Sequence, residues 1–135
     1  MGNTIKRLGD AEREIMQIIW ECYRDTQEAV TAGYVLERLQ NHRKWALSTL
    51  MTVLSRLTNK GFLSCDRTYR NNLYIPLISE EDYRASESRN FLDKLYGNSF
   101  QRMVASFYDS RIINQCDLKE LRSFLDELEK GEKEP

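Results

Sequence analysis

Apolar residues recur at helical spacing along most of the chain and change to strand-like spacing in one short stretch. Ile15, Ile18, Ile19 and Cys22, with Trp20 beside them, form the first stripe. Asp10 stands before it as an N-cap, with Glu12 and Glu14 in the first turn, where the helix dipole favours acids. Leu8 is placed to staple that turn. This pattern predicts a helix over 11–23, followed by a polar loop over 24–30. Thr31 is the next N-cap, and Val35, Leu36 and Leu39 predict a second helix over 32–40. Leu47, Leu50, Leu54 and Leu57 then recur at i, i+3, i+7 and i+10. They predict a third helix over 45–60 with these leucines buried and Gly61 as its left-handed C-terminal cap.

After Gly61 the period shortens. Phe62, Leu63 and Cys65, then Leu73, Tyr74, Ile75 and Leu77, have strand character, and the polar run 66–72 between them is rich in turn formers. The stretch reads as a β-hairpin. Ser79 then caps a helix running to Tyr96, with acids in its first turn, and Gly97 and Asn98 end it. A further helix begins at Ser99 and carries Phe100, Met103, Val104, Phe107 and Tyr108. Asp117 with Glu120 has the spacing of a capping box ahead of Leu118, Leu121, Leu125 and Leu128. The charged run 130–135 is expected to fray.

Three helices followed by a hairpin is the order of a winged helix. The predicted fold class is therefore mainly α: a winged helix-turn-helix DNA-binding domain over 1–78 and a C-terminal helical dimerisation arm over 79–135. The third helix carries the chemistry. Its outer face holds Ser48, Thr49, Thr52, Ser55, Arg56 and Lys60, small hydroxyls with basic residues toward one end, where a solvated helix would more usually show Glu/Lys pairs. Such a face can lie against phosphates and base edges. Thr49 and Thr52 are the candidate base readers, and Arg56 is the candidate phosphate clamp. Met51 stands between the groove side and the core edge. Arg43 and Lys44 precede the helix, and Arg67 and Arg70 sit on the hairpin tip, within reach of phosphate or the minor groove. All are equally readable as solvated side chains, and His42 reads as a surface residue of the same basic loop.

Charge sharpens the division. The formal net charge of −1 hides 11 Lys/Arg against 8 Asp/Glu in residues 1–78 and 9 against 13 in residues 79–135, or +3 and −4. A mildly basic first half and an acidic second half fit a nucleic-acid module joined to something else. Cys22, Cys65 and Cys116 are odd in number and far apart, which predicts reduced thiols in a cytoplasmic protein rather than a disulfide or metal framework. No apolar run spans a membrane and the N-terminus lacks a signal-peptide core. Phosphate-binding loop, nucleophile and metal motifs are missing, so neither an enzyme nor a bound cofactor is expected. The arm's apolar positions Phe91, Leu95, Phe100, Val104, Leu118, Leu121, Leu125 and Leu128 are candidates for core or for a dimer interface. Palindromic DNA sites need two-fold proteins, which favours a homodimer.

The ordered segments LGDAEREIMQIIW, TAGYVLERLQ, W…STLMTVLSRLTNKGFL and LYIPLISEEDY resemble the penicillinase and methicillin-resistance repressors of the BlaI/MecI/CopY family, over roughly residues 8–128. The resemblance implies a homodimeric repressor of dyad-symmetric, double-stranded operator DNA in a β-lactamase or related resistance operon. It also implies release by cleavage in the C-terminal arm, triggered by a membrane sensor-transducer with a metalloprotease domain. Three departures stand out. Ala46, Ser48 and Met51 occupy positions where that family often has a capping Ser or a cation. The position of the family's Asn–Phe cleavage bond aligns with Ser106-Phe107. The tail lacks the cysteine-rich motif of the copper-responsive branch. Two alternatives stay open at this point: a winged-helix protein-interaction module, and a regulator of the same fold answering to a small ligand.

Overall fold

The structure, a computed structural model, describes residues 5–133 and side chains as far as residue 131. Nine elements follow one another: α1 (Asp10–Thr26), β1 (Val30–Thr31), α2 (Ala32–Leu39), α3 (Leu47–Asn59), β2 (Leu63–Asp66), β3 (Leu73–Pro76), α4 (Glu80–Tyr96), α5 (Phe100–Asp109) and α6 (Gln115–Lys133). The chain divides into two compact units, with the division between Glu87 and Ser88, inside α4 rather than at 78/79.

The first unit is a winged helix. Ile15, Met16 and Ile19 of α1, Val35 and Leu39 of α2, Leu50, Leu54 and Leu57 of α3, and Phe62 and Leu63 at the start of the hairpin are all fully buried in one core. Each such side chain contributes about 1.5–3 kcal/mol relative to an exposed one. The three strands form one antiparallel sheet in the order β1-β3-β2, with Val30 opposite Tyr74 and Cys65 opposite Tyr74 from the other side. β1 occupies the end of what the sequence presents as a polar loop. Two residues are too few to show alternation, and they become a strand only because β3 supplies the ladder.

The caps differ from the predicted ones at both ends of the chain. Helix α1 is capped at Gly9, one residue before Asp10, and the Glu12 carboxylate accepts the Gly9 N–H at 2.8 Å. Helix α6 is capped at Asn114 instead of Asp117. The Asn114 Oδ1 accepts the Asp117 N–H at 3.0 Å, and the Asp117 Oδ2 accepts the Asn114 N–H at 2.8 Å, a reciprocal box one turn earlier than Asp117–Glu120. Thr31 and Ser99 cap as predicted, accepting from the Tyr34 and Arg102 amides. Gly61, at φ +88°, turns the chain out of α3, so that the Phe62 amide closes onto the Leu57 carbonyl at 3.0 Å and β2 begins at once.

The start of α4 belongs to the winged helix. Tyr83 is buried there, with its ring 5.9 Å from that of Trp20 and 5.6 Å from that of Phe62, and its hydroxyl accepts the Leu8 amide at 3.1 Å. Trp20 in turn donates its indole N–H to the Ile78 carbonyl at 2.8 Å. Glu80, in the first turn, receives Gln17, Arg24 and Arg84.

In the second unit Tyr96 stands edge-on to both Phe91 and Phe107, at 5.8 and 6.2 Å. None of its described residues is buried. Among the described residues, no helix is long and apolar enough to cross a membrane.

Candidate nucleic-acid interface

Helix α3 is held from behind and open in front. Leu50, Val53, Leu54 and Leu57 enter the core, while Ser48, Thr49, Thr52, Ser55, Arg56 and Asn59 are exposed on the other side. Ser48, Thr52, Ser55 and Asn59 fall at i, i+4, i+7 and i+11, a single outward stripe opposite the core. Leu47 departs from the predicted buried stripe. It is 49% exposed and lies outside the core cluster. Met51 is half-buried and packs against the core edge.

The chemistry of the face follows from its side chains. The Thr52 hydroxyl donates to the Ser48 carbonyl at 3.1 Å, which fixes its rotation on the helix. Ala46 caps α3 with its backbone alone, its carbonyl accepting the Thr49 and Leu50 amides. Without a side-chain cap, the Leu47 and Ser48 amides that open α3 have no acceptor among the described residues and face outward to an anion.

The cations separate into two groups. Arg43 is turned inward: it pairs with Glu14 of α1, and its guanidinium lies 5.8 Å above the Trp45 ring. It braces the loop before α3 rather than standing free in front of it. Lys44, Arg56, Arg67 and Arg70 are exposed, and among the described residues none of them forms an ion pair. Arg67 and Arg70 lie on the loop between β2 and β3. The start of this loop is fixed by the Asp66 carboxylate, which accepts the Thr68 amide at 2.9 Å and is held below the usual carboxylate range by its bonds to Thr68. Two further residues of this unit, Asn59 and Tyr69, are exposed. Asn59 continues the polar stripe at a spacing the sequence already contained. Tyr69, 63% exposed between the two wing arginines, has no periodic signal to mark it.

Behind this face a buried carboxylate fixes the end of α3. Lys60, expected on the outer face, turns back instead: Glu12 of α1 is 6% exposed, and the Lys60 ammonium reaches its Oε1 at 2.7 Å. Burial pushes the Glu12 carboxyl up, but hydrogen bonds from Lys60 and Gly9 and the nearby charges of Lys60 and Arg56 outweigh it and leave the group below its ordinary value.

In the second unit the residues proposed for dimerisation divide by exposure. Phe91, Leu95, Phe100, Leu125 and Leu128 are exposed, while Val104, Leu118 and Leu121 are half-buried. Ile112 and Phe124 join the exposed set. Ser106 and Phe107 lie within α5, both half-buried. The Tyr96 hydroxyl is 3.4 Å from the Ser106 Oγ, and the Phe107 carbonyl accepts the Ile112 amide at 2.8 Å. Among the described residues no cluster of His, Cys, Asp or Glu is arranged to hold a metal ion.

An exposed hydroxyl-lined third helix beside a basic-tipped hairpin defines a winged helix-turn-helix protein of the DNA-binding type. Residues 8–127 match the penicillinase repressor family, and the chain belongs to it. Two relatives named as a regulatory protein and a repressor align over most of the chain. The methicillin resistance regulatory protein MecI of Mammaliicoccus sciuri is 30% identical over 125 residues, 93% of this chain and 98% of the relative. The penicillinase repressor of Bacillus licheniformis is 30% identical over 130 residues, 96% of this chain and 98% of that one. A solution structure of the Bacillus licheniformis BlaI monomer with the blaP half-operator is 33% identical, with a TM-score of 0.47, and covers 58% of this chain and 90% of that one.

Proposed function

We propose that the protein is a cytoplasmic transcriptional repressor that binds a dyad-symmetric operator as a homodimer, in a β-lactamase or related resistance operon. The observation that carries the reading is the pairing of an exposed hydroxyl stripe on α3 with wing cations Arg67 and Arg70 that are engaged by no carboxylate among the described residues. In this reading α3 enters the major groove, Ser48, Thr49, Thr52 and Ser55 meet base edges, and Lys44, Arg56, Arg67 and Arg70 meet phosphates. Met51 borders the groove, and Arg43 supports the loop that delivers Lys44.

Dimerisation is supported by the second unit, none of whose described apolar side chains is buried. A helical unit in that condition is completed by a second copy, and two-fold symmetry matches two half-sites. Relief of repression by cleavage at Ser106-Phe107, driven by a membrane sensor protease, extends the same reading. The helical, half-buried setting of that bond means that α5 must open before it can be cut.

The test is selection from a randomised duplex library by the full-length protein. A recovered inverted repeat, bound by a dimer in sedimentation analysis, supports the reading. Binding no stronger than to random duplex, or a monomer at micromolar concentration with DNA present, overturns it.

A further inference from the structure

We propose that Leu47, with Met51 one turn on, forms an apolar corner of α3 that reads the C5-methyl groups of thymine in the operator half-site. The proposal rests on the reading of α3 as the helix that enters the major groove.

Three observations carry it. Leu47 holds a position that periodicity assigns to the core, yet it is 49% exposed and outside the core cluster. It opens the row Leu47, Met51, Ser55 at i, i+4 and i+8, which runs beside the row Ser48, Thr52, Arg56. The apolar corner therefore adjoins the hydroxyl stripe on the leading half of the helix.

The second observation concerns what that half lacks. Residues 45–55 contain no Arg, Lys, Asn, Gln, Asp or Glu. The bidentate pairings that distinguish guanine and adenine have no side chain to make them there. What remains is hydroxyl hydrogen bonding, which is tolerant of sequence, and apolar contact. Thymine alone among the bases presents an apolar group in the major groove.

The third is the Thr52 hydroxyl, whose hydrogen is committed to the Ser48 carbonyl at 3.1 Å. That side chain offers its neighbours a methyl and an acceptor, not a donor. Discrimination on this part of α3 then falls to methyl contact, and Leu47 is the largest exposed apolar side chain available to make it.

The test uses the duplex that the wild-type protein selects from a randomised library, with its thymines replaced one at a time by deoxyuridine, which removes only the methyl. Full-length wild type should lose about three- to fourfold in affinity at one or two positions of each half-site, the equivalent of about 0.8 kcal/mol for one methyl-sized group. Leu47→Ala should bind the thymine duplex correspondingly more weakly and no longer distinguish uracil at those positions. Wild type indifferent to uracil throughout overturns the proposal. So does discrimination that survives in Leu47→Ala and disappears in Thr49→Ser or Thr52→Ser, which keep the hydroxyls and lose a methyl. The wild-type scan stands whether or not any variant folds. Failure to select any duplex sinks the repressor reading and this proposal with it, whereas a selected duplex without methyl dependence sinks this proposal alone.

Discussion

The Lys60 ammonium, just past the end of α3, lies 2.7 Å from the Glu12 carboxylate in the first turn of α1, and the other carboxylate oxygen of Glu12 is buried without a hydrogen-bond partner among the described residues. The pair clamps the C-terminal end of the candidate reading helix to the first helix of the fold. Lys60 is also 3.3 Å from the Arg7 carbonyl, so the N-terminal segment meets the same ammonium.

Lys60→Met leaves a buried carboxylate without its counter-charge. A loss of roughly 3 kcal/mol is expected at pH 7, the low end for a broken buried pair because Lys60 is partly exposed. The sign of the pH dependence should also change. In the wild type the Glu12 carboxyl titrates below its ordinary value of 4.5, so its stabilisation is present above that pH and is lost as the pH falls through the folded-state value. In Lys60→Met burial dominates and raises the carboxyl, so the penalty is largest near neutrality and shrinks as the pH falls toward 5. Urea denaturation at pH 7 and pH 5 measures both. A deficit of equal size at the two values would show that the Gly9 hydrogen bond and the Arg56 charge keep the carboxyl ionised without Lys60.

Tyr83 ties the start of α4 to the winged-helix core through Trp20, Phe62 and the Leu8 amide. Tyr83→Phe should cost about 1 kcal/mol, the net value of one hydrogen bond with a buried donor left over. Tyr83→Ala should cost about 3–5 kcal/mol, as for other large aromatic truncations. Thermal unfolding of the two variants separates the hydroxyl from the ring. Equal effects would mean that the ring packing contributes nothing beyond the hydrogen bond.

The free cations make a graded prediction about salt. Removing Arg67 or Arg70 should reduce the slope of log affinity against log salt by about 0.9 each if each meets one phosphate. Arg43→Ala should leave that slope nearly unchanged, since Arg43 is paired with Glu14. Fluorescence anisotropy over a salt series distinguishes the two groups, and an Arg43 effect as large as that of Arg67 would mean that the pair with Glu14 opens on DNA.

Cleavage at Ser106-Phe107 should be limited by the opening of α5. Thermolysin, which cuts before large apolar residues, is expected to cut this bond slowly in the wild type. Tyr96→Ala removes the ring against Phe107 and the hydroxyl near Ser106, and should cut faster. An unchanged rate in Tyr96→Ala would show that Tyr96 does not hold the segment closed.

What the sequence disclosed followed the range of the interactions. The stripes of α1, α2 and α3 are local, so Ile15, Ile19, Leu50, Leu54 and Leu57 were legible as core from spacing alone. β1 was not, because Val30 and Thr31 are strand only through pairing with Tyr74 and Leu73, far along the chain. The same reason applies to Arg43. Its charge is visible in the sequence, but its partner Glu14 sits on another helix, and only the fold shows the charge already committed. Leu47 fits the period and fails the burial, since periodicity describes a direction around a helix and says nothing about whether a neighbour lies there. The boundary within α4 escaped for a related reason: composition changes after residue 78, whereas Tyr83, beyond it, packs backward into the first core.

On the dimer reading, the absence of buried residues among the described part of the second unit would make copy number a variable of its fold. A segment completed by another molecule is only as folded as that molecule is abundant. On the dimer reading, dilution acts on the arm before it acts on the winged helix, and α5, which carries Ser106 and Phe107, loosens as partners grow scarce. Dispersed chains would then be the first to be degraded, and the level of the repressor would feed back on its own lifetime.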